Sequence, residues 1–269
     1  MLRISPNRSL PIIERYEMKF LIPAAMIEPI ACFASIYCTL DLHSQQSTDG
    51  FYQINNLYLD TPHFLFLKKR RSGSDNRFNM RIRSYGDQPS HCYLEVKQKK
   101  VNIVRKFRSQ EPAHNWHQSF PSPGDPPLED TTCRATVEKE LFLRLAHSYM
   151  ATPKVQTQYR RMAYVSNVDD YGRVTFDTDL RYFPQEQYTL LAPKQSAMVP
   201  LDEETLFDPG CSVILELKCH CRNVPLWMID LIRYFNLKRI AFSKYVTGIS
   251  QILKLHAYDP SNRATAVVL

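Results

Sequence analysis

Apolar and polar residues alternate with a period of two along eight stretches of the chain: Ile13–Leu21, Tyr52–Asp60, Arg77–Tyr85, Cys92–Gln98, Ile103–Arg108, Val155–Tyr164, Arg173–Tyr182 and Val213–Cys219. That period marks strands with two unlike faces. Turn-rich pieces such as Gly86–Ser90 separate them. Wider apolar spacing predicts helices over Pro23–Tyr37, Pro62–Arg71, Thr131–Tyr149, Pro225–Phe235 and Ser243–Leu255. Asp60 or Thr61 would cap the second of these, with proline in its first turn. The Pro-, Ser- and His-rich stretch Ser109–Asp130 reads as a long surface loop, because strand patterns resume on both sides of it. One α+β domain is therefore expected over residues 13–256, with an N-terminal extension at 1–12 and a tail at 257–269.

The polar faces of these strands are unusual. An antiparallel strand that merely meets water on one side carries Ser, Thr and scattered charges there. Here one face of the first strand reads Arg15, Glu17, Lys19, opposed by Tyr16, Met18 and Phe20. Later strands follow suit with Arg81, Arg83 and Tyr85, with Glu95 and Lys97, with Lys106 and Arg108, with Tyr159 and Arg161, with Asp177, Asp179 and Arg181, and with Glu216 and Lys218. These positions hold ten basic and five acidic side chains. Two arrangements fit: an open sheet whose charged face is solvated and whose apolar face lies under helices, or an antiparallel β-barrel of about eight strands with charged faces turned inward. In the barrel the cations would repel strongly unless carboxylates and a bound polyanion offset them.

Composition narrows the chemistry. Of 269 residues, 44% are hydrophobic and 23% charged, which excludes a wholly disordered or coiled-coil chain. No apolar run reaches a membrane-spanning length and the first residues lack a signal-peptide core, so the expected address is cytoplasmic. Seven cysteines, an odd number in a chain of this length, point to reduced thiols; Cys219-His220-Cys221 lacks the second ligand pair of a zinc site. A net charge of +7 suits a polyanion. There is no GxxxxGK[ST] loop, and no histidine sits in a spacing that suggests a nucleophile and base, so side chains must hold any phosphate.

Seven motifs, in order, carry a resemblance: Glu14-Arg15-Tyr16-Glu17-Met18-Lys19-Phe20, Asn56-Leu57-Tyr58-Leu59-Asp60-Thr61, Arg81-Ile82-Arg83-Ser84-Tyr85-Gly86, Leu94-Glu95-Val96-Lys97, the Tyr159 and Arg161 strand, Leu215-Glu216-Leu217-Lys218 and Phe242-Ser243-Lys244-Tyr245. Over roughly residues 13–255 the chain resembles the VTC domain of polyphosphate polymerases, one of the triphosphate tunnel metalloenzymes related to the CYTH adenylate cyclases and triphosphatases. The resemblance implies a tunnel fold that transfers the γ-phosphate of ATP onto a polyphosphate chain with Mn²⁺ or Mg²⁺. It implies Lys19, Arg81, Arg83, Lys97, Lys106, Arg161 and Lys244 as catalytic phosphate ligands. Tyr159, Ser243, Arg108 and Lys218 would bind substrate, and Glu216, with Glu17 and Glu95, the metal. Expected partners are ATP and polyphosphate or shorter phosphates, with no nucleic acid and no membrane segment. Triphosphatase and cyclase branches carry Glu-x-Glu-x-Lys in the first strand; this chain has Arg15-x-Glu17-x-Lys19, which favours the polymerase branch and weakens a second metal site. The alternatives are a triphosphatase or polyphosphatase using the same tunnel, and a non-catalytic polyphosphate-binding module.

Overall fold

The structure is a computed structural model that describes residues 15–100, 103–114, 116, 120, 134–201, 210–220 and 223–257. The expected extension at 1–12, nearly all of the tail at 257–269, and residues 121–130 of the expected loop lie outside these. Ten strands form one sheet: β1 Arg15–Ile22, β2 Cys38–Leu40, β3 Tyr52–Asp60, β4 Asn76–Tyr85, β5 His91–Lys100, β6 Ile103–Pro112, β7 Thr152–Ser166, β8 Gly172–Pro184, β9 Val199–Pro200 and β10 Val213–His220. All pairings are antiparallel, in the order β1-β10-β8-β7-β3-β4-β5-β6, with β2 added to β7 and β9 to β8. The helices are α1 Ile27–Ser35, α2 Leu42–Gln45, α3 Leu65–Arg71, α4 Arg134–Ser148, α5 Leu226–Tyr234 and α6 Lys244–Ala257.

The strand path is open, ending at β1 and β6, yet it curls far enough for side chains to meet across the gap. Lys97 Nζ of β5 lies 2.9 Å from Glu17 Oε2 of β1. The expected antiparallel tunnel fold with flanking helices is thus present, but among the described residues no backbone pairing closes it into a ring.

Alternation puts the apolar half of each strand outside. Met18, Phe20, Phe176, Leu215 and Leu217 pack beneath α1 and α5 with Ile30, Trp227, Met228 and Leu231. Leu57, Met80, Ile82, Leu94 and Val96 form a second outer layer beneath α4 with Phe142 and Leu143. Each such side chain contributes about 1.5–3 kcal/mol on burial, so these two layers set the register and fix which residues face inward.

The last helix departs from the flanking role expected of it, because α6 plugs the inner face. Tyr245, Ile249 and Ile252 cluster with Ile54, Tyr58, Val155, Tyr159, Tyr182 and Ile214, all inward positions by register. Gly248 sits at the closest approach: a Cβ there would lie 3.4 Å from Val155 Cγ2 and 3.7 Å from Tyr182 Cβ. The plug is tied down by Asp60, as buried as any residue in the chain. Asp60 Oδ1 accepts from the Thr61 and Phe66 amides, Oδ2 accepts from the Leu67 amide, and the Tyr245 hydroxyl also donates to Oδ2. Helix α3 starts at Leu65, after Phe64, and not at Pro62 as expected; Asp60 and Thr61 still accept its first amides from upstream, and one carboxylate joins β3, α3 and α6.

Two further differences are physical in origin. The stretch Ser109–Pro112 continues β6 instead of starting a loop, since Leu94 and Tyr93 on β5 still offer it partners. A bulge in β8 near Asp179, whose φ is +49°, breaks the alternation, so Arg181 pairs with outward Gln158 and bonds Asp179 at the surface. Asp179 and Arg181 leave the inner face and Asp177 stays on it.

Candidate functional site

Register places nine of the expected phosphate-binding cations on or at the inner face (Lys19, Arg81, Arg83, Lys97, Lys106, Arg108, Arg161, Lys218 and, from the start of α6, Lys244), with four carboxylates, Glu17, Glu95, Asp177 and Glu216. The structure brings all of these sequence-predicted residues together. They divide into two groups.

On β1, β10, β8 and β7 each of these cations has a carboxylate within 4.0 Å, although two carboxylates serve four cations. Arg161 forks onto Asp177, Nε to Oδ1 at 2.6 Å and Nη2 to Oδ2 at 2.8 Å, a bidentate pair with both partners buried. Lys244 donates to the same carboxylate. Glu216 lies 2.9 Å from Lys218 Nζ, 3.7 Å from Lys19 Nζ and 3.9 Å from Arg161 Nη2. Lys19 also donates to the Phe242 carbonyl at 3.0 Å, so the turn before α6 helps to aim it. Burial opposes ionisation of Glu216, yet Lys218, Lys19 and Arg161 hold it well below the usual carboxylate range. Asp177 is likewise lowered against its burial, by Arg161 and Lys244. Burial pushes Lys19 and Lys218 down, with Glu216 pulling the other way.

On β4, β5 and β6 one carboxylate serves several cations. Glu95, 1% exposed, lies 2.6 Å from Lys106, 2.7 Å from Arg81 and 3.3 Å from Arg108. It stays ionised far below its ordinary pKa despite burial. Lys106 is pushed down to about 7 by enclosure and by Arg81 and Arg83, against the pull of Glu95, although its side chain keeps about a third of its exposure. Arg83 is 7% exposed, and among the described residues no carboxylate lies within 4.0 Å of it. Its partners are neutral: Nε donates to Asn56 Oδ1 at 2.8 Å and Nη2 to the Tyr159 hydroxyl at 3.3 Å. Tyr159 is the point where the groups meet: its ring carries Lys244 Nζ at 4.5 Å and the Arg161 guanidinium at 5.4 Å. Burial opposes its ionisation, but Arg83, Arg161 and Lys244 lower its pKa.

Of the remaining candidates, Ser243 turns inward on the chain. Its Oγ accepts from the Val246 amide at 3.5 Å, which makes it the cap of α6. Sequence reasoning missed two contributors. Asn56 was quoted only as part of a motif, yet it links Arg83 to Thr157 Oγ1 at 3.2 Å. At one end of the inner face an aromatic mouth opens into a cavity of about 480 Å³ lined by His43, Tyr52, Tyr85 and Arg160 among others. His43 stacks on Tyr85 at 4.9 Å, and Arg108 lies 3.6 Å over Tyr93 beside it. The tyrosines were legible in the alternation; His43, on a four-residue helix, was not.

Among the described residues no three His, Cys, Asp or Glu side chains gather into a metal cluster. Glu17 and Glu216 are near enough to raise each other's cost of ionisation. Thr175, opposite Glu216 in the register, has a buried Oγ1 without a hydrogen-bond partner. Two carboxylates and an orphaned hydroxyl are hard oxygen donors that fit Mg²⁺ or Mn²⁺, provided phosphate oxygens complete the shell. Glu95, the third expected metal ligand, lies against Lys106, Arg81 and Arg108.

A family model described as the VTC domain matches residues 14–253. Subunit 4 of the vacuolar transporter chaperone complex of Trypanosoma cruzi (strain CL Brener) is 23% identical over 226 residues, covering 74% of this chain. The chain spans only 28% of that relative's length. Among solved structures, a candidate adenylate cyclase from Bacillus halodurans aligns over 84% of this chain and 92% of its own at 12% identity, with a TM-score of 0.47. A Pyrococcus horikoshii protein aligns over 88% and 99% at 10% identity and a TM-score of 0.42. A Hippeastrum adenylyl cyclase candidate, described as having a dominant triphosphatase activity, aligns over 87% and 95% at 13% identity and a TM-score of 0.38.

Proposed function

The chain belongs to the VTC domain family, and from that premise we propose that its inner face binds the triphosphate of ATP and passes the γ-phosphate to a polyphosphate chain. The observation that carries this reading is Arg83, a buried guanidinium held by neutral partners in a cavity already rich in cations. Burial and Arg81 oppose the charge on Arg83, and Tyr159 and Glu95 offset them without a carboxylate in contact; an anion from outside would supply that direct contact.

Phosphoryl transfer asks a protein mainly for positioning and charge neutralisation. Arg81 and Arg83 present planar forks to phosphate oxygens, while Lys19, Lys97, Lys106, Lys218 and Lys244 act as point charges. Arg161, engaged by Asp177, holds Tyr159 and Glu216 in place and offers its remaining donors to the same anion. Glu216, with Glu17 and Thr175, would hold the divalent metal, which when bound supplies further neutralisation of the phosphate charge. Glu95 is assigned the counter-charge role: it keeps Arg81, Lys106 and Arg108 converged when no phosphate is present. Ser243 acts through the capping of α6, which positions Lys244. The aromatic mouth suits the base of the nucleotide, because rings at a tunnel end stack on any nucleobase. The phosphate-holding side chains lie on inward strand faces, which does not suit nucleic-acid binding. No helix among the described residues is long and apolar enough to cross a membrane; a cytoplasmic site of action is part of the proposal.

The test is product analysis after incubation of the purified chain with ATP and Mn²⁺. Acid-labile polyphosphate well beyond three units is the expected result. Orthophosphate alone would convert the reading into a hydrolase working in the same cavity, and binding without turnover would make it a phosphate-holding module.

A further inference from the structure

The two ends of the inner face differ in chemistry. Strand β4 runs its inward residues as Tyr85, Arg83, Arg81, Asn79 and Arg77, and β5 places Lys97 and Lys99 beside the last two. At about 3.3 Å per residue, Arg77 lies ~20 Å along the strand from Arg83. At that far end Arg77 stands directly across from Lys99, and one step inward Lys97 stands directly across from Lys106. Like charges in cross-strand register are destabilising; Glu17 and Glu95 offset the second pair, so it is Arg77 opposite Lys99 that carries no such compensation among the described residues. Helix α3 ends at the same place with Lys68-Lys69-Arg70-Arg71, and Arg77 Nη1 donates to the Gly73 carbonyl at 2.9 Å in the turn that follows it.

Charges here are not balanced locally. Among the described residues no carboxylate lies within 4.0 Å of Arg70, Arg77 or Lys99, and Glu17, whose field reaches Arg70, is taken by Lys97 at 2.9 Å. Arg70 is weakened as a cation by burial and then by Arg77, with Glu17 acting the other way, which places the end of α3 within electrostatic reach of the lumen. The run at the end of α3 stabilises the helix dipole, but that role is worth only about 0.3–1 kcal/mol and does not require Arg77 and Lys99.

We propose that Arg70, Arg77 and Lys99 form a second anion subsite, outside the central cation ring, that holds the part of an inorganic polyphosphate chain too long to fit within the lumen. The inference rests on the phosphate-binding reading above. It adds a direction: nucleotide at the aromatic mouth, chain at the cationic mouth. Binding there is by charges at the open end of the lumen, so it weakens steeply with salt.

The test compares binding of tripolyphosphate and of a long-chain inorganic polyphosphate, at matched chain concentration, to the wild type, to Arg70→Glu/Lys99→Glu, and to Arg144→Glu, a charge reversal on the outer helix α4. A milder Arg70→Ala/Lys99→Ala variant guards against misfolding by the reversal. Wild type is expected to bind the long chain more tightly than tripolyphosphate, and the double reversal to lower long-chain affinity about tenfold while tripolyphosphate changes by no more than about twofold. Arg144→Glu should leave both unchanged. Equal losses for the two ligands, or an Arg144→Glu effect as large as that of the double variant, would reduce the subsite to a diffuse field and overturn it. No loss at all would also overturn it while leaving the central reading intact. Failure of wild type to bind either ligand would overturn both.

Discussion

The two walls of the lumen are built from the same residue types and do opposite things with them. On the β1–β10–β8–β7 side, Asp177 and Glu216 satisfy Arg161, Lys244, Lys218 and Lys19 within the protein. On the β4–β5–β6 side, Glu95 contacts three cations, and Arg83, within reach of its field, has no carboxylate within 4.0 Å among the described residues. The first wall gives each of its four cations a carboxylate contact and so contributes to folding; the second, with Glu95 alone among Arg81, Arg83, Lys106 and Arg108, leaves Arg83 without such a contact among the described residues. Net positive composition alone does not distinguish these cases, because both walls are rich in cations and differ in how their few carboxylates are placed.

The largest expected effect comes from breaking the satisfied wall. Asp177→Ala leaves Arg161 and Lys244 buried without their partner and should cost about 3–5 kcal/mol, a fall of ~10 °C or more in Tm. Arg83→Met, which removes a charge that no described carboxylate contacts within 4.0 Å, should cost much less in the absence of ligand, and thermal denaturation of the two variants side by side reads the difference. Stability loss in Arg83→Met equal to that in Asp177→Ala would erase the distinction between the walls.

Next in size is the reverse ordering in binding. Arg83→Met should weaken tripolyphosphate by about 10- to 100-fold, as expected for losing charge-assisted hydrogen bonds worth about 1.5–3 kcal/mol, measured by calorimetry at fixed salt.

A smaller effect concerns pH. Lys106, pushed down to about 7, is increasingly neutral in the free protein as pH rises through that value. A bound phosphate favours the charged form, so binding takes up a proton above about pH 7, and affinity should fall as pH rises from there toward the ordinary lysine range. Without ligand the sign reverses: between about 7 and 10.5 the unfolded chain binds more protons at this residue, so its contribution to stability grows with pH. Lys106→Arg, charged throughout, should flatten the binding profile. A wild-type profile already flat between pH 7 and 9 would place Lys106 outside the phosphate site.

The smallest is structural. Tyr245→Phe removes the donor to Asp60, which keeps its three amide bonds, and should cost about 1–2 kcal/mol. Because Tyr245 adjoins Lys244, KM for ATP should rise more than kcat falls.

Much of this organisation was legible in the alternation of residues. The inward set from Lys19 to Lys218 follows from a period of two once the outer face is apolar, and the eight long strands were found for that reason. What was not legible depends on contacts remote in sequence. Cys38–Leu40 and Val199–Pro200 are strands only because β7 and β8 offer them an edge. The bulge at Asp179 that sends Arg181 outward leaves no mark in the pattern. The placement of α6 inside the sheet could not be read from its own amphipathic pattern, since Tyr245, Ile249 and Ile252 form an apolar stripe that would suit either face. Nor does the sequence say which cation each carboxylate takes, and that pairing is what separates the two walls.

Calorimetric titration of the wild-type chain with tripolyphosphate, repeated across ionic strength, tests the unsatisfied wall most directly. The account predicts one saturable site whose affinity falls with added salt and which Arg83→Met weakens and Arg144→Glu does not. Absence of saturable binding at low salt, or an affinity that Arg83→Met leaves untouched, would contradict it.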